Sequence, residues 1–376
     1  MSGIVARIGN GVAGFAAEDW DRCAGGDNPF LSHAFLSALE DSGSAAAGTG
    51  WQPLPICIDG PDGRPAALMP AYAKSHSAGE YVFDHAWAEA YERAGGVYYP
   101  KLQIAVPFTP VPGRRLLTKD AALAGALIAA AEAVVRENGL SSAHATFIDE
   151  AEVPLFEAAN WLIRVDRQFH WHNDGYASFD DFLASLSSRK RKAIRKEREA
   201  ALAGLEVEHV TGADLTEAHW DAFWHFYQDT GARKWGRPYL TRSFFSLLGE
   251  RMAERILLVL ARRDGVAIAG ALNLIGTDTL YGRYWGCAEE VPFLHFELSY
   301  YQAIEIAIVR GLGRVEAGAQ GEHKLARGYR PVPTWSAHYI ADPNFRAAVA
   351  DYLTSERRAV ENEIEYLGEL TPFKKA

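Results

Sequence analysis

Apolar residues along the chain fall into two successive series of strand-like and helix-like runs. In the first series Ile4 to Ile8 reads as a strand. Asn28-Pro29 then opens a helix whose Leu31, Phe35, Leu36 and Leu39 recur at helical spacing. Gln52 to Ile58 and Ala66 to Ala73 read as two strands joined by the turn Asp59-Gly-Pro-Asp-Gly63. Helices are expected near Ala86 to Arg93 and Ala121 to Glu137, with a proline-rich loop from Tyr98 to Pro112 between them. A strand from Ser142 to Ile148, a short helix at Pro154 to Ala159 and a strand from Trp161 to His170 close the series.

The second series opens with Ser178-Phe-Asp-Asp181, close to a capping box, and a helix expected to run to about Leu202. A strand at Glu206 to Val210 precedes helices at Thr216 to Thr230 and Thr241 to Ala253. Strands follow at Ile256 to Ala261, Val266 to Leu274 and Thr279 to Gly286. A helix from about Phe296 to Val309 leads to a strand at Arg314 to Ala317, a polar stretch, a strand at Thr334 to Ile340 and a C-terminal helix. Meandering strands, a helix and a further strand predict an α/β class with mixed sheets flanked by helices. No GxGxxG and no Walker A is present, so dinucleotide and ATP readings have no support.

Length and composition narrow the class. At 376 residues, with 48% hydrophobic content, the chain is expected to form two domains with full cores. The linear order places them at 1–170 and 205–376, joined by a basic helix over 171–204. A net charge of −10 argues against a nucleic-acid-coating protein, and DNA is not an expected partner. Three scattered cysteines form neither a metal spacing nor a disulfide framework, which fits a reducing cytoplasm. No signal peptide and no apolar run of membrane-spanning length is read, though peripheral contact with a membrane stays open.

The densest candidate chemistry lies in Glu316-Ala-Gly-Ala-Gln-Gly-Glu-His-Lys-Leu-Ala-Arg-Gly-Tyr-Arg330. Acids, an imidazole, cations and a carboxamide crowd there among glycines, directly after an apolar helix. Beside it stand Asn28 to Glu40, Gly79-Glu-Tyr-Val-Phe-Asp84 with Trp87, Tyr99-Pro-Lys-Leu102, Ser188-Arg-Lys-Arg-Lys192 and Leu294-His-Phe-Glu297. On these segments the chain resembles the FemAB-like N-acyltransferases, a group described as peptidoglycan biosynthesis proteins. The resemblance implies a tandem GNAT fold and an amide-forming transfer of an acyl or aminoacyl group to an amine, such as a cell-envelope precursor. It leaves the donor as either aminoacyl-tRNA or acyl-CoA, with no tightly bound cofactor. Where ordinary GNAT enzymes cradle pyrophosphate, this chain carries Glu289, Glu290 and Glu297, which are expected to repel it. Where Fem ligases carry a lysine before Gly-Phe, this chain has Ala326, with Lys324 nearby.

Amide formation needs a base for the amine and donors for an oxyanion. The expected base is the pair Glu322 and His323, supported by Glu316 and Glu297, with Gln320 and Lys324 as polarising donors. Substrate contacts are expected from His295, Tyr301, Arg283, Tyr284, Trp285, Trp235 and Arg327, and from Asp84 and Trp87 in the first half. Glu297 and Glu305 read equally as a helix cap and a structural ion pair, and Asp84 and Trp87 equally as structural. Arg189, Lys190, Arg191 and Lys192 belong to a run of seven cations in ten residues. That run reads as a phosphate site for tRNA, a nucleotide-linked precursor or a lipid head group, or as a solvated face. His170 and His172 share a strand face, but no third ligand spacing supports a metal, and none is expected. A non-catalytic module that recognises peptidoglycan or a partner is the reading from a different class.

Overall fold

The computed structural model describes residues 4–235, 238–318 and 321–374, and the side chains of 230–235 lie outside that description. Two compact units emerge. Unit 1 comprises Met1–Asp166 and Pro333–Asn362, and unit 2 comprises Arg167–Val332 and Glu363–Ala376. The division is not linear, unlike the expected boundaries, because strands decide it. His170–His172, late in the strand Leu162–His172, pair with Arg314–Glu316 of unit 2. Trp335–Ile340, late in the strand Arg330–Ile340, pair with Ser142–Ile148 of unit 1.

In unit 1 the strands Trp51–Pro53, Ala71–Lys74, Lys101–Ile104 and Ser142–Ile148 lie side by side. Lys101–Ile104 and Ser142–Ile148 run parallel, which requires the intervening crossover helix Ala121–Glu137. Asp120 starts that helix by accepting the N–H groups of Ala122 and Leu123. Its buried stripe of Leu127, Ile128, Ala131 and Val135 packs on the sheet. Each large apolar side chain buried there contributes roughly 1.5–3 kcal/mol. The two strands expected at Gln52 to Ile58 and Ala66 to Ala73 are each divided. Ile56–Asp59 and Pro65–Met69 form a separate three-stranded sheet with Ala6–Ile8. Pro55 and Pro70 cannot donate to a ladder, and the divisions fall at them.

In unit 2 the strands Glu206–Val210, Ile256–Arg263, Val266–Ile275 and Thr279–Cys287 form an antiparallel meander. Arg314–Glu316 then joins Thr279–Tyr281 in parallel. The crossover helix has three parts: Leu294–Phe296, one π-helical turn at Glu297–Tyr301, and Gln302–Val309. Its Leu298, Tyr301, Ile304 and Ile308 share a core with Leu280, Val315 and Trp171. The single helix expected from Ser178 to Leu202 is instead Phe179–Ser185 and Ser188–Ala201. Leu186 turns extended and bridges to Phe373, and Ser187 donates its N–H to the Pro372 carbonyl at 2.9 Å. The helix Glu217–Trp235 runs five residues beyond its expected end at Thr230, so Trp235 closes a helix rather than lying in a loop.

Helix Glu217–Trp235 lies close against the strand Thr279–Cys287 at Gly286. A Cβ at Gly286 would stand 2.2 Å from the Phe226 carbonyl oxygen, a backbone atom that cannot swing away. Gly286→Ala is therefore expected to lower stability by about 1–3 kcal/mol or more. A denaturation midpoint equal to wild type would show that this helix is free to shift.

Candidate functional site

The parallel pairing of Thr279–Tyr281 with Arg314–Glu316 stops where the shorter strand ends at Glu316, while its neighbour continues to Cys287. On the other edge of the same strand, Leu272 opposes Tyr284 while Asn273 opposes Gly282. Arg283 is thus the extra residue of a β-bulge, a feature that re-aims side chains. A cavity of about 80 Å³ opens at this point. Its wall includes Asn273, Gly282, Arg283, Trp285, His295 and Tyr300. The helix side of the cavity comes from the π turn, a distortion frequent at functional sites.

Two polar groups of this wall escaped the sequence reading. Asn273 is 1% exposed and donates its side-chain N–H groups to the Leu257 and Ala271 carbonyls at 3.3 and 3.4 Å. Its Oδ1 is left without a hydrogen-bond partner among the described residues. The Ser299 hydroxyl is likewise buried without one. A buried acceptor without a donor costs roughly 1–3 kcal/mol, so such groups call for an explanation. In sequence Asn273 is the lone polar residue of the run Val266–Ile275, and that was the available signal. Ser299 carries none.

The expected residues separate into those at the cavity and those elsewhere. Arg283, Tyr284, Trp285 and His295 line it. The His295 ring lies 5.2 Å from Trp285 and 5.4 Å from Tyr300. His323 is exposed, yet its Nε2 sits 2.9 Å from the Tyr300 hydroxyl, which belongs to the cavity wall. Burial pushes the Tyr300 phenol well above its ordinary range, so it stays protonated. Glu322 is exposed to solvent. Gln320 and the Trp235 side chain lie outside the described residues.

Glu316 and Lys324 form a second, buried group around Arg283. Glu316 is 4% exposed, with Arg314 Nε 3.3 Å and His170 Nδ1 4.0 Å from its Oε1. Its Oε2 has no hydrogen-bond partner among the described residues. Burial pushes this carboxyl up to about 7, against the pull of Arg314 and Arg283. Lys324 donates to the Gly318 carbonyl at 2.8 Å, and burial, aided by Arg283, lowers it to about 7. A carboxyl raised in the folded state stabilises below its unfolded pKa and loses that contribution as pH rises through the folded one. From the ordinary 4.5 to about 7, the loss is about 3 kcal/mol. Glu316→Gln should therefore gain stability relative to wild type as pH rises across this window. Parallel stability curves for the two proteins would show that the carboxyl is not held as a neutral acid. His170 also takes part here, its Nε2 3.1 Å from Gln168 Oε1. Among the described residues no three His, Cys, Asp or Glu side chains cluster as metal ligands.

Glu297, expected as a catalytic support, is fully buried and held by Arg198 and Gln302. Arg198 also pairs with Glu305, so the ion-pair reading describes this helix face. Arg327 stacks 3.4 Å from the Phe296 ring centroid, pairs with Glu197 at 2.8 Å and donates to the His323 carbonyl. It anchors the turn that carries His323. Tyr301 is buried and donates to the same Glu197. Of the acids expected to repel a pyrophosphate, Glu289 pairs with Arg263 and Glu297 with Arg198. The repulsion is weaker than the bare sequence implies. Asp84 and Trp87 lie inside unit 1 and are buried there. Arg189, Lys190, Arg191 and Lys192 start the helix Ser188–Ala201 of unit 2.

The fold is similar to that of FemX, with a TM-score of 0.57 at 13% identity, over 89% of this chain and 98% of that one. It is similar to the C-terminal domain of a putative lysylphosphatidylglycerol synthetase from Agrobacterium fabrum, with a TM-score of 0.52 at 10% identity, over 89% and 96%. A conserved protein of unknown function from Bacteroides thetaiotaomicron gives 0.53 at 12% identity, over 89% and 100%. Identities this low show the fold alone, an α/β fold of mixed sheets and flanking helices like that of FemX, as expected. No curated protein sequence matches. A family profile described as peptidoglycan biosynthesis/recognition matches residues 11–375, nearly the whole chain, and the protein belongs to this FemAB-like family.

Proposed function

We propose that this protein forms an amide by transferring an aminoacyl group to an amine acceptor, and that the unit 2 cavity holds the reacting groups. The family's description favours a peptidoglycan precursor as acceptor. The observation that carries the donor assignment is the buried, partnerless Oδ1 of Asn273 in the cavity wall. Its amide cannot flip without losing two hydrogen bonds, so it presents an acceptor only. An acetyl group has no N–H to offer it. An aminoacyl group brings an α-ammonium, which satisfies it with a charge-assisted hydrogen bond. Arg283, aimed by its bulge, is suited to the carbonyl oxygen on which negative charge develops.

In this reading the acceptor nitrogen attacks the aminoacyl ester carbon. The C–N bond forms, the ester C–O bond breaks, and the amine proton passes to the departing ribose hydroxyl. His323 is the group that takes and returns this proton, through the Tyr300 hydroxyl. Incubating the protein with aminoacyl-tRNA, acyl-CoA and an amine-bearing peptidoglycan precursor tests the reading. Amide product from the aminoacyl donor alone is expected, and Asn273→Leu should abolish it. Product from acyl-CoA alone, or from neither donor, would defeat the proposal.

A further inference from the structure

The basic helix Ser188–Ala201 is not absorbed by the reaction, and its surface is of a particular kind. Arg198 is committed to Glu297 and Glu305, and Arg195 to Asp180. Arg189, Lys192 and Lys196 are exposed and have no ion-pair partner among the described residues. They recur with Ala193 and Ala200 at three- and four-residue spacing, so these five form one stripe, and Ala203 follows just past the helix end. Beside its C-terminal half lies an open groove of about 660 Å³ lined by Ala193, Lys196, Ala200, Ala203 and Phe293, together with Glu197 and Glu199. Glu197 is already engaged by Tyr301 and Arg327, so of the two acids in the groove lining Glu199 is the one that works against the cations.

Phe293 is the second observation. It is 43% exposed and holds φ 64, a left-handed conformation unusual for an aromatic residue. A strained backbone that keeps a large apolar ring in water signals use at a surface. We propose that this stripe and Phe293 dock the protein on an anionic lipid bilayer. Phe293 and the alanine methyls enter the boundary between head groups and acyl chains, while Arg189, Lys192 and Lys196 meet lipid phosphates. The apolar groove between the cations and the ring favours a bilayer over RNA, whose backbone offers it nothing to bury. In a chain of net charge −10, only such a local patch permits approach to an anionic surface.

Sedimentation of the purified full chain with phosphatidylcholine vesicles, with and without phosphatidylglycerol, tests this. Binding is expected only with phosphatidylglycerol, and high salt should release it. The triple variant R189E/K192E/K196E should bind at least about 100-fold more weakly, since each cation near such a surface contributes about fivefold. Phe293→Gly removes the ring and tolerates the same φ, so it keeps the fold and should weaken binding about tenfold or more. No sedimentation with anionic vesicles, or unchanged binding by both variants, would overturn the proposal. So would a triple variant that loses tRNA in a gel shift while its vesicle binding is intact.

Discussion

Replacing Lys101 with Met is expected to destabilise unit 1 by about 3–5 kcal/mol, the largest effect of any single substitution away from the cavity. Lys101 is completely buried and donates to Glu80 Oε2 at 2.7 Å, to Ser77 Oγ at 2.9 Å and to Asp84. Asp84 also accepts the Tyr98 hydroxyl at 2.7 Å, and Tyr98 meets His144, whose ring contacts His338. Lys74, equally buried, lies 3.9 Å from Glu80 and 3.8 Å from the Trp51 ring centroid. Two amines therefore face two carboxyls inside the unit, and burial lowers Lys74 to about 7. Burial alone would push Lys101 down, but Glu80 and Asp84 hold it above its ordinary value, so it stays charged. Burial pushes Glu80 up to about 7 even with Lys101 beside it. Without Lys101, Asp84 would keep the Tyr98 hydroxyl and Glu80 would keep Lys74 at 3.9 Å, two close acids short of a cation in a buried cluster. Chemical denaturation should show the transition of unit 1 moving to lower denaturant. Adding Asp84→Asn and Glu80→Gln should restore part of the loss, because the uncompensated charges go with them. A single variant within about 0.5 kcal/mol of wild type would mean that water reaches this cluster.

That network shows how far the sequence was readable. The segments Gly79 to Asp84 and Tyr99 to Leu102 stood out as parts of the family resemblance, and the structure brings Glu80, Asp84, Tyr98 and Lys101 together. Their burial was not readable, since a polar residue in a pocket and one in a satisfied core look alike in one dimension. The helix Ala121–Glu137 was legible because its cap and its apolar period are both local. Glu297 was not, because Arg198, which neutralises it, is 99 positions away. Simple alternation puts Arg283 on the face of Trp285, and the bulge at that residue breaks the alternation. Asn273 was passed over as one residue in an apolar strand. Its meaning depends on two carbonyls holding its amide and on what remains unmatched afterwards.

Turnover should fall by about 10²–10⁴-fold in His323→Ala, the range for loss of a positioned acid–base group. The argument is geometric. His323 Nε2 meets the cavity wall at the Tyr300 hydroxyl, 2.9 Å away, while the imidazole itself is exposed to solvent. Tyr300 is raised too far to act as a base, so it conducts a proton rather than storing one. Tyr300→Phe keeps the ring and cuts the relay, and it should cost about as much as His323→Ala. The double variant should be little worse than either, because two members of one relay fail together. Glu322→Ala provides the contrast. Its side chain is exposed, so near wild-type turnover is expected. Initial rates, with thermal midpoints to confirm folding, separate the cases. Additive losses in the double variant would mean that Tyr300 and His323 act independently. Full activity in both single variants would move the base elsewhere, and Glu316, buried and raised to about 7, is the group that would then inherit the role.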